Sequence, residues 1–245
     1  MILKTRTLSL TAALTLAMAS LGAPVHAQTK PEHELTANAA LTTDYRYRGL
    51  SQTRLKPALQ GGMDYVNNPT GFYLGVWGST IKWIKDAGGD TGLELDFYGG
   101  KRGEAAPGLS YDVGGLYYLY PSNDLNPSAN TFEVYGQLGY GPAYVKYSHA
   151  TTNLFGTGNS KQSGYLDVGA NVDLGEGFTL NLHAGHQKVR NNSALSYTDY
   201  KVGVTKDLGL CAVSLALVGT DIDIYAPNGK NLGKAGAVLS VSKTF

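Results

Sequence analysis

Between Leu35 and Arg48 the chain changes character at every step, Leu35, Ala37, Ala39, Leu41, Thr43, Tyr45 and Tyr47 interleaving with Thr36, Asn38, Ala40, Thr42, Asp44, Arg46 and Arg48. Successive side chains on a strand point to opposite faces, so a period of two held over fourteen residues predicts one long strand with an apolar and a polar face. Strands of soluble proteins are usually only about five or six residues long. The pattern returns in Leu93-Leu95-Phe97, Tyr111-Val113-Tyr117-Leu119, Phe132-Val134-Leu138, Leu166-Val168-Ala170-Val172 and Phe178-Leu180-Leu182-Ala184, each interleaved with polar or small residues. No run of about 20 apolar residues exists from which a helix could span a bilayer. Charged residues make up only 16% of the chain and 32 of its 245 residues are Gly, against roughly 25% charged and 7% Gly in ordinary soluble domains. Few charges, many Gly and 17 Tyr fit a chain built almost wholly of strands and turns.

About twelve strands are expected, near residues 35–48, 58–65, 72–81, 93–100, 109–120, 131–140, 143–152, 163–173, 178–186, 197–207, 211–219 and 234–245. The connections alternate long and short, with the long ones all on one side. An even strand count, short turns on one side and long loops on the other is the pattern of a transmembrane antiparallel up-and-down β-barrel. A soluble β-sandwich also alternates, but its wet face favours Lys, Glu and Arg, whereas the polar face here is rich in Gly, Ser, Asn, Asp and Tyr. A bilayer demands that every backbone amide be paired internally, which a closed barrel with a narrow polar lumen achieves. Outer-membrane lipid is then the medium against the apolar face. Tyr45, Tyr47, Tyr117, Tyr140, Tyr147 and Tyr200 lie near expected strand ends, where amphipathic rings can rest at headgroup level.

Residues 1–27 carry Lys4 and Arg6, an apolar run from Leu8 to about Leu21, and Val25-His26-Ala27, the layout of a secretory signal peptide followed by a barrel domain over 28–245. Removing that segment leaves 18 basic against 19 acidic side chains, so no nucleic-acid partner is expected. Cys211 is the one cysteine, which excludes an internal disulfide and reads as packing.

The stretch Thr43-Asp44-Tyr45-Arg46-Tyr47-Arg48-Gly49-Leu50-Ser51-Gln52 resembles the proteobacterial TorF family, also known as Gcw_chp. So do Pro57-Ala58-Leu59-Gln60-Gly61-Gly62-Met63-Asp64-Tyr65, Gly71-Phe72-Tyr73-Leu74-Gly75-Val76-Trp77-Gly78-Ser79, Leu93-Glu94-Leu95-Asp96-Phe97-Tyr98-Gly99-Gly100 and Glu133-Val134-Tyr135-Gly136. The likeness covers essentially the mature chain and implies a porin-like barrel in the bacterial outer membrane. Resemblance to outer-membrane proteins also implies that the terminal strand, ending on Phe245, is read by the barrel-assembly machinery. Lys243, two residues earlier on the same face, departs from that pattern.

The candidate pore-lining residues are Asp44, Arg46, Arg48, Asp64, Glu94, Asp96, Asp112, Glu133, Lys146, Asp167 and Lys201, all on the expected inward face. Asp44, Arg46 and Arg48 are expected to end the first strand, with Arg54 and Lys56 following in the first long loop, so that four cations gather at one mouth. A basic mouth selects anions by its field; the competing expectation is that these Arg pair with lumen acids and stiffen the interior. Both signs line the lumen, which suits passage of small hydrophilic solutes. Gly156-Thr157-Gly158-Asn159-Ser160-Lys161 lacks the spacing of a phosphate-binding loop and reads as an exposed loop. His183 and His186, three apart on a strand, face opposite sides and cannot chelate together. No catalytic set and no cofactor is implied. A passive channel is the leading function; a closed structural or adhesive barrel and a lipid-modifying enzyme are the alternatives.

Overall fold

A computed structural model describes residues 30–245, and the expected export segment lies outside them. Fourteen strands follow in order: β1 (His33–Thr42), β2 (Arg46–Tyr47), β3 (Leu50–Ser51), β4 (Ala58–Asn67), β5 (Phe72–Thr80), β6 (Leu93–Ala106), β7 (Leu109–Leu119), β8 (Thr131–Tyr140), β9 (Ala143–Ala150), β10 (Gly164–Gly175), β11 (Phe178–Lys188), β12 (Tyr197–Asp207), β13 (Ala212–Thr220) and β14 (Gly236–Thr244). One helical turn, α1 (Trp83–Asp86), sits between β5 and β6. Twelve strands form a closed antiparallel barrel, in the order β1-β14-β13-β12-β11-β10-β9-β8-β7-β6-β5-β4, while β2 and β3 make a separate hairpin. Among the described residues no helix is long and apolar enough to cross a membrane.

The ring closes between β1 and β14, in register from Asn38 opposite Thr244 to Thr42 opposite Ser240. Just beyond, Ala37 and Phe245 exchange both backbone hydrogen bonds, the Phe245 N–H donating to the Ala37 carbonyl at 2.8 Å and the Ala37 N–H donating to the Phe245 carbonyl at 3.3 Å. The closed ring itself leaves no edge to template a foreign strand. The five turns 68–71, 107–108, 141–142, 176–177 and 208–211 stand at one end, and the loops 43–57, 81–92, 120–130, 151–163, 189–196 and 221–235 at the other. At 176–177, Glu176 (φ 51°) and Gly177 (φ 76°) both take positive φ. Positive φ at both central residues is the turn geometry whose twist matches that of the flanking strands.

Alternation along each strand sorts the side chains. Leu35 and Leu41 on β1, Leu59 and Met63 on β4, Leu74 on β5, Val202 and Val204 on β12 and Leu215 and Leu217 on β13 all point outward and are exposed. Their polar neighbours turn in: Thr42, Gln60, Ser79, Glu94, Asp96, Asp112, Glu133, Ser148, Asn181 and Asp199 are buried. An apolar wall facing out around a polar interior is the inverse of a soluble fold and suits hydrocarbon.

β8 and β12 begin and end where the alternation places them, while β1 does not. It stops at Thr42 instead of running to Arg48, so Asp44, Arg46 and Arg48 belong to the connection 43–57, Arg46 in its short strand β2, and not to the end of β1. The break is a local turn: Arg48 (φ 45°) and Gly49 (φ 79°) are both left-handed, which folds Arg46-Tyr47 back onto Leu50-Ser51. Tyr45 and Tyr47 are accordingly not interfacial. Tyr45 is buried in a cluster with Ile84, Leu116, Tyr118 and Tyr120, and Tyr47 packs against it. Tyr140 at the turn end of β8 is outward and exposed. β6 runs on to Ala106, past the expected end, because it stays paired with β7 as far as Ala106 opposite Leu109; on its outer face the Lys101 ammonium lies 5.3 Å from the centre of the Phe72 ring.

A charge placed on the outer wall has a cost that depends on depth. Val202→Arg, midway along β12, is expected to lower the unfolding free energy in lipid vesicles by about 2–4 kcal/mol. Leu208→Arg, equally outward but in the 208–211 turn, should cost no more than about 1 kcal/mol. Denaturant titrations of the two variants check the difference; equal costs would contradict a bilayer around this wall.

Candidate functional site: the lumen and the loop that crosses it

β1 lies opposite β9 in the ring, six strands away in either direction. The loop 43–57, which leaves β1, nevertheless bonds to the far wall. Arg48 donates from Nη2 to Glu133 Oε2 on β8 at 2.7 Å and from Nη1 to Gln187 Oε1 on β11 at 2.5 Å. Its guanidinium also lies 4.1 Å from the ring centre of Tyr165 on β10. The loop therefore lies across the bore. Its root is fixed by Asp44, which accepts hydrogen bonds from Arg46 Nε (2.5 Å), Ser51 Oγ (2.5 Å) and Thr53 Oγ1 (3.0 Å). Arg46 then donates from Nη1 to the carbonyls of Gly49, Leu232 and Lys234, tying the loop to the 221–235 loop. Arg54 pairs with Asp86 on α1.

Of the four cations expected at the mouth, three are paired: Arg46, Arg48 and Arg54 each hold a carboxylate partner. Burial alone would lower the Arg48 guanidinium, but Glu133, Tyr47 and Tyr118 outweigh it and hold the group above its ordinary value. Burial, with Glu94 and Asp96 nearby, pushes the Tyr45 hydroxyl well above its ordinary value, so it stays a neutral donor. It donates to Glu94 Oε1 at 3.1 Å. Around these groups the loops contribute a packed aromatic cluster in which Trp83 meets Tyr120 edge-on at 5.1 Å and Phe155 meets Tyr118 at 5.1 Å.

Toward the turn end the interior is polar. Asp64 accepts from the Tyr98 hydroxyl at 2.6 Å, and Asp112 from the Tyr73 hydroxyl at 2.6 Å. Tyr73 also bonds the Tyr135 hydroxyl, and Lys146 stands 4.0 Å from the Tyr135 ring centre. On the opposite arc Asp167 Oδ1 lies 2.9 Å from His183 Nδ1, and Asp199 Oδ2 lies 2.6 Å from His183 Nε2. The Tyr165 hydroxyl adds a bond to Asp199 at 2.8 Å. Lys201 is the cross-strand partner of His183, and Lys146 that of Asp167. A second group, Asn181 with Asn171 and Thr205, continues the polar lining downward.

All eleven candidate residues are therefore placed within the ring or its inward loop, but they form separate groups. Asp44 and Arg46 anchor the loop, Arg48 and Glu133 pair across the bore, and Asp167 joins a histidine cluster. Glu94 and Asp96 stand apart: Glu94 Oε2 and both Asp96 carboxylate oxygens are buried without a hydrogen-bond partner, as is Trp83 Nε1. Sequence reasoning missed His183 as a member of the lumen network. Its signal is the register that sets β10, β11 and β12 side by side, which alternation within a single strand does not contain. Ser148 points inward and is buried, whereas its neighbour His149 is on the other face beside Tyr147.

Removing one partner of a buried pair strands the other charge. Arg48→Ala is expected to destabilise the packed loop by about 3–5 kcal/mol and to open residues 43–57 to protease. Glu133→Gln introduced alongside it should restore much of that loss, a coupling that a double-mutant cycle in denaturant measures.

The fold has counterparts among solved structures. The KdgM porin superposes with a TM-score of 0.56 at 7% identity, covering 86% of this chain and 98% of that one. The NanC porin superposes with a TM-score of 0.55 at 9% identity, with the same coverage of both chains. No curated protein matches the sequence. The family model described as "Bacterial protein of unknown function (Gcw_chp)" matches residues 26–245, which include every described residue, and the protein belongs to this Gcw_chp family.

Proposed function

We propose that this protein is a porin-like channel of the bacterial outer membrane, passing small hydrophilic solutes through a lumen narrowed by the loop 43–57. The observation that carries the reading is the polar arc of lining beneath that loop, from Asp64 and Asp112 round to Lys146, His183 and Lys201, which gives way to Ala216, Val218 and Val238 on β13 and β14. A barrel needed only as a rigid wall could fill its centre with apolar side chains, and desolvating so many charges has a cost that a purely structural role does not explain. The shared fold with the KdgM and NanC porins, the apolar outer wall and the resemblance to the TorF family support the same reading. With both signs on the lining and the loop arginines paired, selection by charge is weak and selection by width is strong.

The packed aromatic cluster at the loop end favours a second reading, a closed barrel that presents its long loops as a surface. Planar-bilayer recording separates the two. A channel gives stepwise conductance, and replacing residues 45–55 by a short Gly-Ser connection enlarges each step. A folded protein that gives no steps, with or without the loop, would remove the channel reading and leave the closed barrel.

A further inference from the structure

Glu94 and Asp96 are successive inward residues of β6, each 1% exposed. Register places Asp96 between Trp77 on β5 and Tyr118 on β7. Tyr45 closes over Glu94, with its own ring 5.4 Å from that of Trp77, and Tyr120 belongs to the same packed cluster. The lumen's other carboxylates have donors. Asp44 and Glu133 hold arginines, Asp167 and Asp199 hold His183, and Asp64 and Asp112 take tyrosine hydroxyls. Here three of four carboxylate oxygens have no donor, and among the described residues neither acid forms an ion pair with a base.

A buried carboxylate without a partner is expensive, by several kcal/mol for each ion in practice. Two of them on the same face of β6, packed among aromatic side chains, concentrate negative potential where a positive charge would be stabilised. The donor set decides which kind. Divalent metals require four or more ligands, and among the described residues no three His, Cys, Asp or Glu side chains converge as a metal site does. Two carboxylates packed among aromatic side chains suit a compact monovalent cation bearing N–H donors or apolar substituents.

We propose that Glu94 and Asp96, with Tyr45, Trp77, Tyr118 and Tyr120, form a binding site for a small ammonium-type cation beneath the crossing loop. The site does not depend on the channel reading, since a closed barrel could hold the same ion. If the lumen conducts, it places a cation-preferring station beside the narrowest stretch.

The chain's only two tryptophans, Trp77 and Trp83, both belong to this cluster and report on it. The full barrel, folded in detergent, is titrated with methylammonium chloride, exchanged against sodium chloride at constant ionic strength, while tryptophan emission is followed. A saturable change is expected, weaker by about tenfold in affinity in Asp96→Asn and absent in the doubly substituted Glu94→Gln, Asp96→Asn protein. Asp90→Asn, an exposed loop acid paired only with Lys85, should titrate as the parent does. The amides are nearly isosteric, and unheated electrophoretic mobility shows whether each variant has closed. Should the double variant fail to close, the parent and Asp96→Asn titrations decide. A parent emission that does not saturate, or a response of equal affinity after the substitutions, would overturn the site. A double variant that is more stable than the parent at every cation concentration would also overturn it, because the carboxyls would then be held by protons alone. Conductance that persists when no cation binds would sink this proposal and leave the channel standing.

Discussion

Lipid offers no hydrogen bonds, so every amide in the wall must find its partner in the chain, and this constraint orders the rest of the molecule. It forbids an edge, which forces β14 back onto β1. It disfavours charge on the outer face, so acids such as Glu94, Asp96, Asp112, Glu133 and Asp199 turn inward, while outward Lys101 and Lys206 sit toward the turn end with their ammonium groups over Phe72 and Phe178. Twelve strands enclose little space, so groups sent inward meet one another. The lumen networks of Arg48 with Glu133 and of His183 with Asp167 and Asp199 are thus a product of the wall as much as of the function it serves.

That crowding explains why the loop 43–57 folds in instead of standing out in solvent. Its side chains complete valences the wall leaves open: Arg48 for Glu133, Tyr45 for Glu94. The wall answers in kind, because Gln187 and the Tyr165 ring receive the guanidinium from the other side. Loop and wall are one packed unit at this end, in contrast to the short turns opposite, which are held by local hydrogen bonds such as Gly175 N–H to Asp173 Oδ1 at 2.8 Å.

Most of the wall was legible in the sequence because its two environments differ so sharply. In β8, Phe132, Val134 and Leu138 face lipid while Glu133 and Tyr135 face the lumen, and both strand ends follow from that contrast. The contrast fails where a loop enters the bore. Tyr45-Arg46-Tyr47-Arg48 keeps the period of two, yet both of its faces are inside the ring, and only the pair Arg48-Gly49 betrays a turn. The groupings of the lumen were illegible for another reason. Which acid meets which base is decided by the stagger between neighbouring strands, as with His183 between Asp167 and Asp199, and that stagger is a property of the closed ring.

The seam between β1 and β14 holds five paired positions, with the Ala37–Phe245 exchange just beyond them, against ten between β1 and β4 on the other flank of the same strand. It is also the junction that joins the most distant parts of the chain, so its closure carries the largest entropic penalty of any pairing in the wall. The ring is therefore stitched unevenly, and its hem is where it would part first. A curved sheet still rolled in its hairpins, gaping along that single line toward the surrounding lipid, is the partly opened form this architecture makes cheapest to reach.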